Sequence, residues 1–407
     1  MNDPATGSVQ VTEMLFNHGT ESHETYHNQY ATGMARATRA AFLEAHPEQR
    51  PFLLSRSACT GSGSYTAVWT GDNASNYHHL ERAIPTTLNL ALSGIPFNGP
   101  DVGGWAGDVT EELLVDWIKA CCLFPFFRIH TCAGTREQTP WSFSSDALRI
   151  VRSYIQLRYR LRPYLYQLFC RQEASGEAIL RPLIHDYPDD RRFDETTDAF
   201  LIGSDLLHAP FVTPNITERS VTLPEGRWYA LDTGKWVGGK VVRLRDAAST
   251  PLFLRGGAIV PWSAAPDGSH EWNGAAICFL VALESQALPP SEARGLEMDG
   301  DSARATVASG NYIWDDGISF AYRRGEQSAI AISARCVDPV TGDAFVEISH
   351  DATVAGRIQP EILLPGVWKR LRISIDGADI ACSLSQSTLR IAGFAHEVTV
   401  ATMRNPQ

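Results

Sequence analysis

The chain lacks several features that would place it at once. Its eight cysteines, Cys59, Cys121, Cys122, Cys132, Cys170, Cys278, Cys336 and Cys382, form no C-x-x-C pair and no ligand spacing. They read as small buried hydrophobes of a reduced compartment. No stretch approaches the ~20 apolar residues of a membrane span, so no membrane partner is expected. Met1 to Val9 has neither a basic start nor an apolar core and does not read as a signal peptide. Positive charge is in deficit: 35 Lys and Arg stand against 46 Asp and Glu, a net charge of -11. An acidic surface repels phosphate backbones, which argues against a nucleic-acid partner. The one Arg-rich stretch, Arg149, Arg152, Arg158, Arg160 and Arg162, is interleaved with Tyr154, Tyr159, Tyr164 and Tyr166. It reads as a long helix whose arginines pair with acidic neighbours.

What is present suits a globular protein. The 407 residues suffice for two or three domains, and 44% hydrophobic against 20% charged residues is a folded composition. The first 175 or so repeat one unit, an apolar run that ends in polar residues and leads into a helix. Pro51–Leu54 runs into Ser55-Arg56, Thr66–Trp69 into Thr70-Gly71-Asp72-Asn73, Ile95–Phe97 into Asn98-Gly99-Pro100-Asp101, and Phe124–Phe127 into Arg128-Ile129-His130. Apolar runs without alternation suit strands buried on both faces, as in a parallel sheet. Tyr26, Tyr30, Met34, Ala37 and Ala41 mark a helix ending before Pro47. Thr110 reads as an N-cap, with Glu111 and Glu112 in the first turn and Leu113, Leu114, Trp117, Ile118 and Cys121 as the apolar face. A third helix is expected over about Ser145 to Cys170, kinked at Pro163. After Gly176 short segments separated by Gly, Pro and Asp give a β-sandwich texture. The fold class is therefore α/β plus all-β, with units at 1–176, 177–265 and 266–407.

Arg56, Asp72, Asp101 and His130 fall at the C-terminal ends of successive expected strands, the edge where parallel α/β folds bind ligands. Each could merely cap a helix or fix a loop, but four in series point to a site. Carboxylates beside Arg, His and Trp suit sugar hydrolysis. A carboxyl can protonate a leaving oxygen, Arg and His can bond hydroxyls, and Trp69, Trp105 and Trp141 offer apolar faces to a pyranose.

The run Arg56-Ser57 … Trp69-Thr70-Gly71-Asp72-Asn73 resembles the segment that carries the acid/base aspartate of glycoside hydrolase family 31. Gly94–Gly104 resembles the next barrel strand with its substrate-contacting aspartate, here Asp101. Pro125-Phe126-Phe127-Arg128-Ile129-His130 is similar to the strand whose Arg and His frame the sugar. Arg158–Tyr166 resembles the last barrel helix. Pro224–Tyr229 and Arg255–Pro261 resemble a proximal sandwich, and Asp315-Asp316-Gly317 with Phe320 and Tyr322 a distal β-domain. The resemblance implies the C-terminal half of a (β/α)8 barrel followed by two β-sandwich domains. It implies retaining hydrolysis of α-glucosides with Asp72 as acid/base, and sugar contacts from Arg56, Trp69, Asp101, Trp105, Arg128 and His130. The partner is then an oligosaccharide or α-glycoside, with no cofactor and no metal. Ile129 departs from the family's common Asn, and Ala58-Cys59-Thr60 from its Gly and aromatic pair.

The family's nucleophile lies in a motif reading Trp-x-Asp-Met-Asn-Glu-Pro, whereas this chain opens Met1-Asn2-Asp3-Pro4. On that alignment the nucleophile would precede Met1, and Asp3 replaces the motif's Glu as a supporting carboxylate. These residues alone would then leave two open sheet edges and are expected to be inactive and prone to aggregate. Two alternatives compete. His23-Glu24-Thr25-Tyr26-His27 spells the H-E-x-x-H of zinc proteases, with Glu44 or Glu48 as a third ligand, although its surroundings resemble the glycosidase helix. Alternatively, the β-domains could form a carbohydrate-binding module without catalysis.

Overall fold

The computed structural model describes residues 10–263, 277–283, 307–338, 343–350, 361–365, 368, 370–391 and 394–403. Asp3 and the expected division near 266 lie outside them. Four strand positions lie side by side and parallel. Leu54–Ser55 pairs with Ala67–Trp69, which pairs with Asn98–Gly99. After Pro100, which has no N–H to give, the same stretch resumes as Asp101–Val102 and pairs with Arg128–Ile129. Sequential parallel neighbours joined by helices make an arc of barrel. The ladder is tight: a Cβ on Gly99 would sit 2.0 Å from the Phe126 carbonyl oxygen.

Five helices back this arc. α1 (His23–Ala45) is capped by the Ser22 hydroxyl and stops before Pro47. α2 (Tyr77–Leu92), capped by Asn76, was not among the helices expected, because Pro85 lies within it. Its buried face of Leu80, Ile84, Leu88 and Ala91 keeps the 3–4 spacing on either side of that proline. α3 (Glu111–Cys121) has the expected Thr110 cap, whose hydroxyl accepts from the Leu113 amide at 3.3 Å. Glu111 also reaches the next helix, taking the Ser144 amide at 2.9 Å and its hydroxyl at 2.7 Å. The expected third helix is two. α4 (Ser145–Arg160) ends at Leu161 and α5 (Arg162–Ser175) begins with Pro163 in its first turn. A proline there breaks the ladder outright, since its ring excludes the hydrogen bond that would carry α4 through.

Arg158 donates to the carbonyls of Cys122, Phe124 and Pro125 at 2.6–3.0 Å, tying the turn before Arg128 to the helix. Arg160 lies over Trp262 and Arg162 over Tyr159, while Arg149 meets an acid, Asp146, at the surface. The cysteines divide evenly: Cys121, Cys122, Cys278 and Cys336 are buried, and the other four half-buried.

The β-sandwich texture expected after Gly176 is matched by a series of mostly short strands. A six-stranded sheet runs Lys235–Val237, Trp228–Ala230, Leu252–Arg255, Leu206–His208, Phe200–Ile202 and Leu180–Pro182. Alternation serves both of its faces. Phe200, Ile202, Leu206 and Leu254 point into the core shared with the barrel helices, whereas Leu201, Leu207 and Phe253 pack against Val221 and Leu223 at the end of a two-stranded ribbon. Two five-stranded sheets follow, and Ile259–Ser263 opens the first of them by pairing with Ile277–Val281. Cys278, Leu280 and Val400 face the shared core, while Phe279, Val281 and Ala401 pack against Ile332, Val346 and Ile373 of the second sheet.

A buried ionic cluster joins barrel to sandwich. Asp116 and Lys119 of α3 are both 3% exposed. Lys119 donates to the Asp246 and Ala247 carbonyls at 2.8 and 3.3 Å, and Arg245 and Tyr77 bind the Asp116 carboxylate. Burial pushes the Asp116 carboxyl up and the Lys119 ammonium down, and their mutual attraction opposes both shifts. Nearby, His208 is fully enclosed, its Nε2 3.1 Å from the Thr250 hydroxyl. Burial first, then the charges of Arg219 and Lys119, lower its pKa to about 3.

A histidine held neutral in the fold gives stability above its unfolded pKa of ~6.5, and that stability is lost as pH falls toward the folded value. Chemical denaturation should therefore show His208 alone removing about 2 kcal/mol between pH 7.5 and pH 5. The variant His208→Gln should lose that much less over the same interval; an unchanged pH dependence would refute the assignment.

Candidate active site

The strand ends bring the predicted residues together. Asp101 is the centre, completely buried. Its Oδ1 lies 2.7 Å from an Arg128 guanidinium nitrogen and 3.2 Å from His130 Nδ1, and its Oδ2 accepts the Asp72 amide at 3.2 Å. A carboxylate stripped of water needs such donors to remain charged. His130 Nδ1 also lies 3.1 Å from Arg128. Guanidinium only donates, so Nδ1 either accepts from Arg128 or, protonated, donates to Asp101.

Asp72 is delivered by a strained turn. Gly71 and Asp72 both have left-handed backbone, with φ of 50° and 49°. The turn lets the Asp72 amide reach Asp101 while its carboxylate meets Arg56 at 2.7 Å. Left-handed backbone at a residue other than glycine is sparsely populated, least so for Asp and Asn, and persists where surrounding contacts hold it. The Asp72 side chain stays 40% exposed, open to a ligand, whereas that of Asp101 is not.

The tryptophans differ from one another. Trp69 is buried, with Arg128 lying 5.2 Å from its ring centroid, so it forms a wall and not the open platform expected. Trp105 is half-buried: its amide donates to the Asn73 carbonyl at 2.6 Å, and its carbonyl accepts from the Cys132 amide at 2.9 Å. Trp141 is 71% exposed. Asp101 stands at the start of its short ladder, just after Pro100, and not at the end of the apolar run where it was expected.

Two residues went unassigned in the sequence. Asn73 accepts the Asp101 amide on Oδ1 at 3.3 Å, and its carbonyl also takes the Ala106 amide at 3.1 Å. Buried Gln138 donates to the Gly104 carbonyl at 2.8 Å, holding the loop that leads to Trp105. Asn73 lay within the quoted run, but a single Gln between polar neighbours gives no periodic signal. The departures from the family pattern also find places. Ile129 packs against the main core, and the Cys59 sulfur lies 3.2 Å from the Thr32 hydroxyl on α1.

The H-E-x-x-H stretch is occupied otherwise. His23 is buried and stacked on Phe16, its Nε2 is 3.1 Å from His27 Nδ1, and Glu48 is paired with Arg324 at 2.7 Å. Among the described residues no three His, Cys, Asp or Glu side chains gather as metal ligands, and no helix is long and apolar enough to cross a membrane.

A barrel arc with its polar groups on the strand ends, followed by β-sheets, defines a (β/α)-barrel protein with appended β-domains. The model of the glycosyl hydrolases family 31 TIM-barrel domain matches residues 1–168, and that of the family's C-terminal domain residues 176–260. The chain belongs to glycoside hydrolase family 31. It is 34% identical over 333 residues to alpha-glucosidase 2 of Bacillus thermoamyloliquefaciens, covering 80% of this chain and 40% of that protein. Neutral alpha-glucosidase C of Mus musculus is 32% identical over 413 residues, covering 99% of this chain and 43% of that one. A crystal structure of the glucosidase II alpha subunit superposes with a TM-score of 0.78 at 21% identity, over 99% of this chain and 44% of the other. The chain thus spans about two-fifths of the length of these relatives.

Removing the Asp101 carboxylate should leave Arg128 with an unpaired charge and the Asp72 turn untied. Asp101→Ala is expected to cost about 3 kcal/mol in denaturant unfolding. It should also speed hydrogen exchange at the Asp72 amide. Coupling near zero in a double-mutant cycle with Arg128→Ala would count against the pair.

Proposed function

We propose that this chain carries the acid/base half of a retaining glycosidase acting on α-glucosides, with Asp72 as the proton donor and acceptor. The observation that carries this reading is the division of labour between two neighbouring carboxylates. Asp72 is exposed at the strand ends and steadied by Arg56, while Asp101 is buried and committed to Arg128 and the Asp72 amide. A general acid must reach the leaving oxygen, so the exposed carboxyl takes that role. In the first step the Asp72 carboxyl gives its proton to the glycosidic oxygen as the C–O bond breaks. In the second it takes a proton from the water that hydrolyses the glycosyl ester.

Arg56 holds the carboxylate that results from the first transfer. Arg128 and His130 present donors to sugar hydroxyls from the far side of Asp101, and Trp69 and Trp105 wall the pocket. Double displacement needs a second carboxylate about 5–5.5 Å from the first. Asp101 is enclosed and fully engaged, so we place the nucleophile outside the described residues. Asp3 is assigned to support it. The α-glucosidase names of the relatives support the choice of an α-glucoside over other glycosides. We also take 1–176, 177–265 and 266–407 as the working domain division.

The test is hydrolysis of an aryl α-glucoside by the full-length protein. Asp72→Asn should lower kcat by roughly 10²–10⁴-fold with the fold intact. Undiminished turnover would remove Asp72 from the role. Saturable sugar binding without turnover in the unsubstituted protein would favour the binding-module reading instead.

A further inference from the structure

At the other end of the same strands lies a groove of about 700 Å³, within the size range of small-molecule sites. Pro51, Ser64 and Gly94, which line it, precede the strands whose far ends carry Arg56, Asp72 and Asp101. The groove is therefore separate from the candidate active site. Its remaining walls come from α1, from α5 and from the segment that follows Asp315.

The lining mixes donors, acceptors and rings. Arg39, Gln172 and Gln327 can donate, Glu173 can accept, and Phe169 and Tyr322 supply apolar surface. Arg39 is half-buried and pairs with no described residue. The walls are fixed beforehand. Arg50 binds the Tyr166 hydroxyl at 2.7 Å, Asp315 at 3.1 Å and Asp316 at 3.2 Å, and Tyr166 donates to Asp315 at 2.6 Å. One donor of this network is left over: Arg50 Nε is buried and has no acceptor. A wall fixed in this way favours a ligand that needs no rearrangement of it, and the half-buried Arg39 offers the donor.

Charge and polarity narrow the class. Arg39, Arg50 and Arg323 line the groove and repel a cation, Asp315 and Glu173 repel a multiply charged anion, and the interleaved polar groups penalise a purely apolar guest. A neutral polyhydroxyl ligand with apolar C–H faces meets all three conditions. We propose that this groove is a second, non-catalytic carbohydrate site, which takes a neutral oligosaccharide between the barrel and the distal β-domain. It does not require Asp72 to act as acid/base.

The experiment is calorimetric titration of the full chain with maltotetraose at millimolar concentration. His130→Ala serves to weaken the strand-end site, and circular dichroism to confirm folding. Saturable binding should persist in His130→Ala. Adding Arg39→Ala and Gln172→Ala to that variant should weaken it roughly tenfold or more. Binding abolished by His130→Ala alone, or indifferent to the Arg39 and Gln172 changes, or absent from all the proteins, would overturn the proposal. Loss of the glycosidase reading with retained groove binding would leave it standing.

Discussion

The strand-end architecture depends on keeping one fully buried carboxylate charged. Moving an ion of this size out of water costs several kcal/mol even after relaxation, so Asp101 can occupy its position only if donors surround it. Arg128, on the adjacent strand, supplies a charged donor at 2.7 Å, and the Asp72 amide supplies a neutral one. Each demand constrains the backbone. The pairing of Asp101–Val102 with Arg128–Ile129 puts the guanidinium opposite the carboxylate. The left-handed Gly71-Asp72 turn points an amide inward that an ordinary strand exit would point elsewhere. The exposed Asp72 carboxylate is thus placed by its neighbour's need for compensation, and the strain at Asp72 is held by that same bond.

A second constraint acts at larger scale. Sheets with one apolar face can lie on the surface of a protein, but the six-stranded sheet here is apolar on both. Its alternate residues belong to two different cores, one shared with α3 and α4 and one closed by the ribbon. The first five-stranded sheet repeats the device with Leu280 and Phe279. Barrel and β-regions therefore share one core, flanked by a second between the five-stranded sheets and a third under the ribbon, and the Asp116–Lys119–Arg245 cluster adds direction to the shared one. Buried charges of this kind contribute little net stability, but a partner in the wrong place is heavily penalised. They fix how α3 meets the Arg245–Ala247 loop.

Much of this was legible in the residues. Apolar runs followed by Arg56, Asp72 and His130 gave the series of strand ends, because a parallel sheet buries its strands and leaves their exits polar. The β texture beyond Gly176 was legible from short segments separated by Gly, Pro and Asp. The misreadings have physical causes. The third and fourth ladders lie at Asn98–Val102 and Arg128–Ile129, later than the apolar runs, because Ile95 and Phe124 are buried beneath the sheet edge while polar residues form the ladder. α2 was hidden by Pro85, which a helix tolerates when its apolar stripe is anchored on both sides. Arg158 binds three carbonyls, a tertiary outcome that charge patterning does not encode. Gln138 bonds at long range to the carbonyls of Gly103 and Gly104, and nothing local announces it.

The two ends of the barrel strands are linked through a short stretch of chain. The Arg50 amide donates to the Ile318 carbonyl at 2.9 Å, the Phe320 amide to the Glu48 carbonyl at 3.1 Å, and Gln49 bridges Ser319. These bonds stitch the segment before Leu54–Ser55 onto the turn of the distal domain that Asp315 and Asp316 brace from within. Arg56 follows only six residues after Arg50, and an extended stretch of that length spans at most about 20 Å. The register of the distal turn on Glu48–Arg50 therefore limits where the Arg56 guanidinium can lie, and through it where the Asp72 carboxylate rests. The described residues of this turn thus act on the strand ends through the backbone that leads to Arg56.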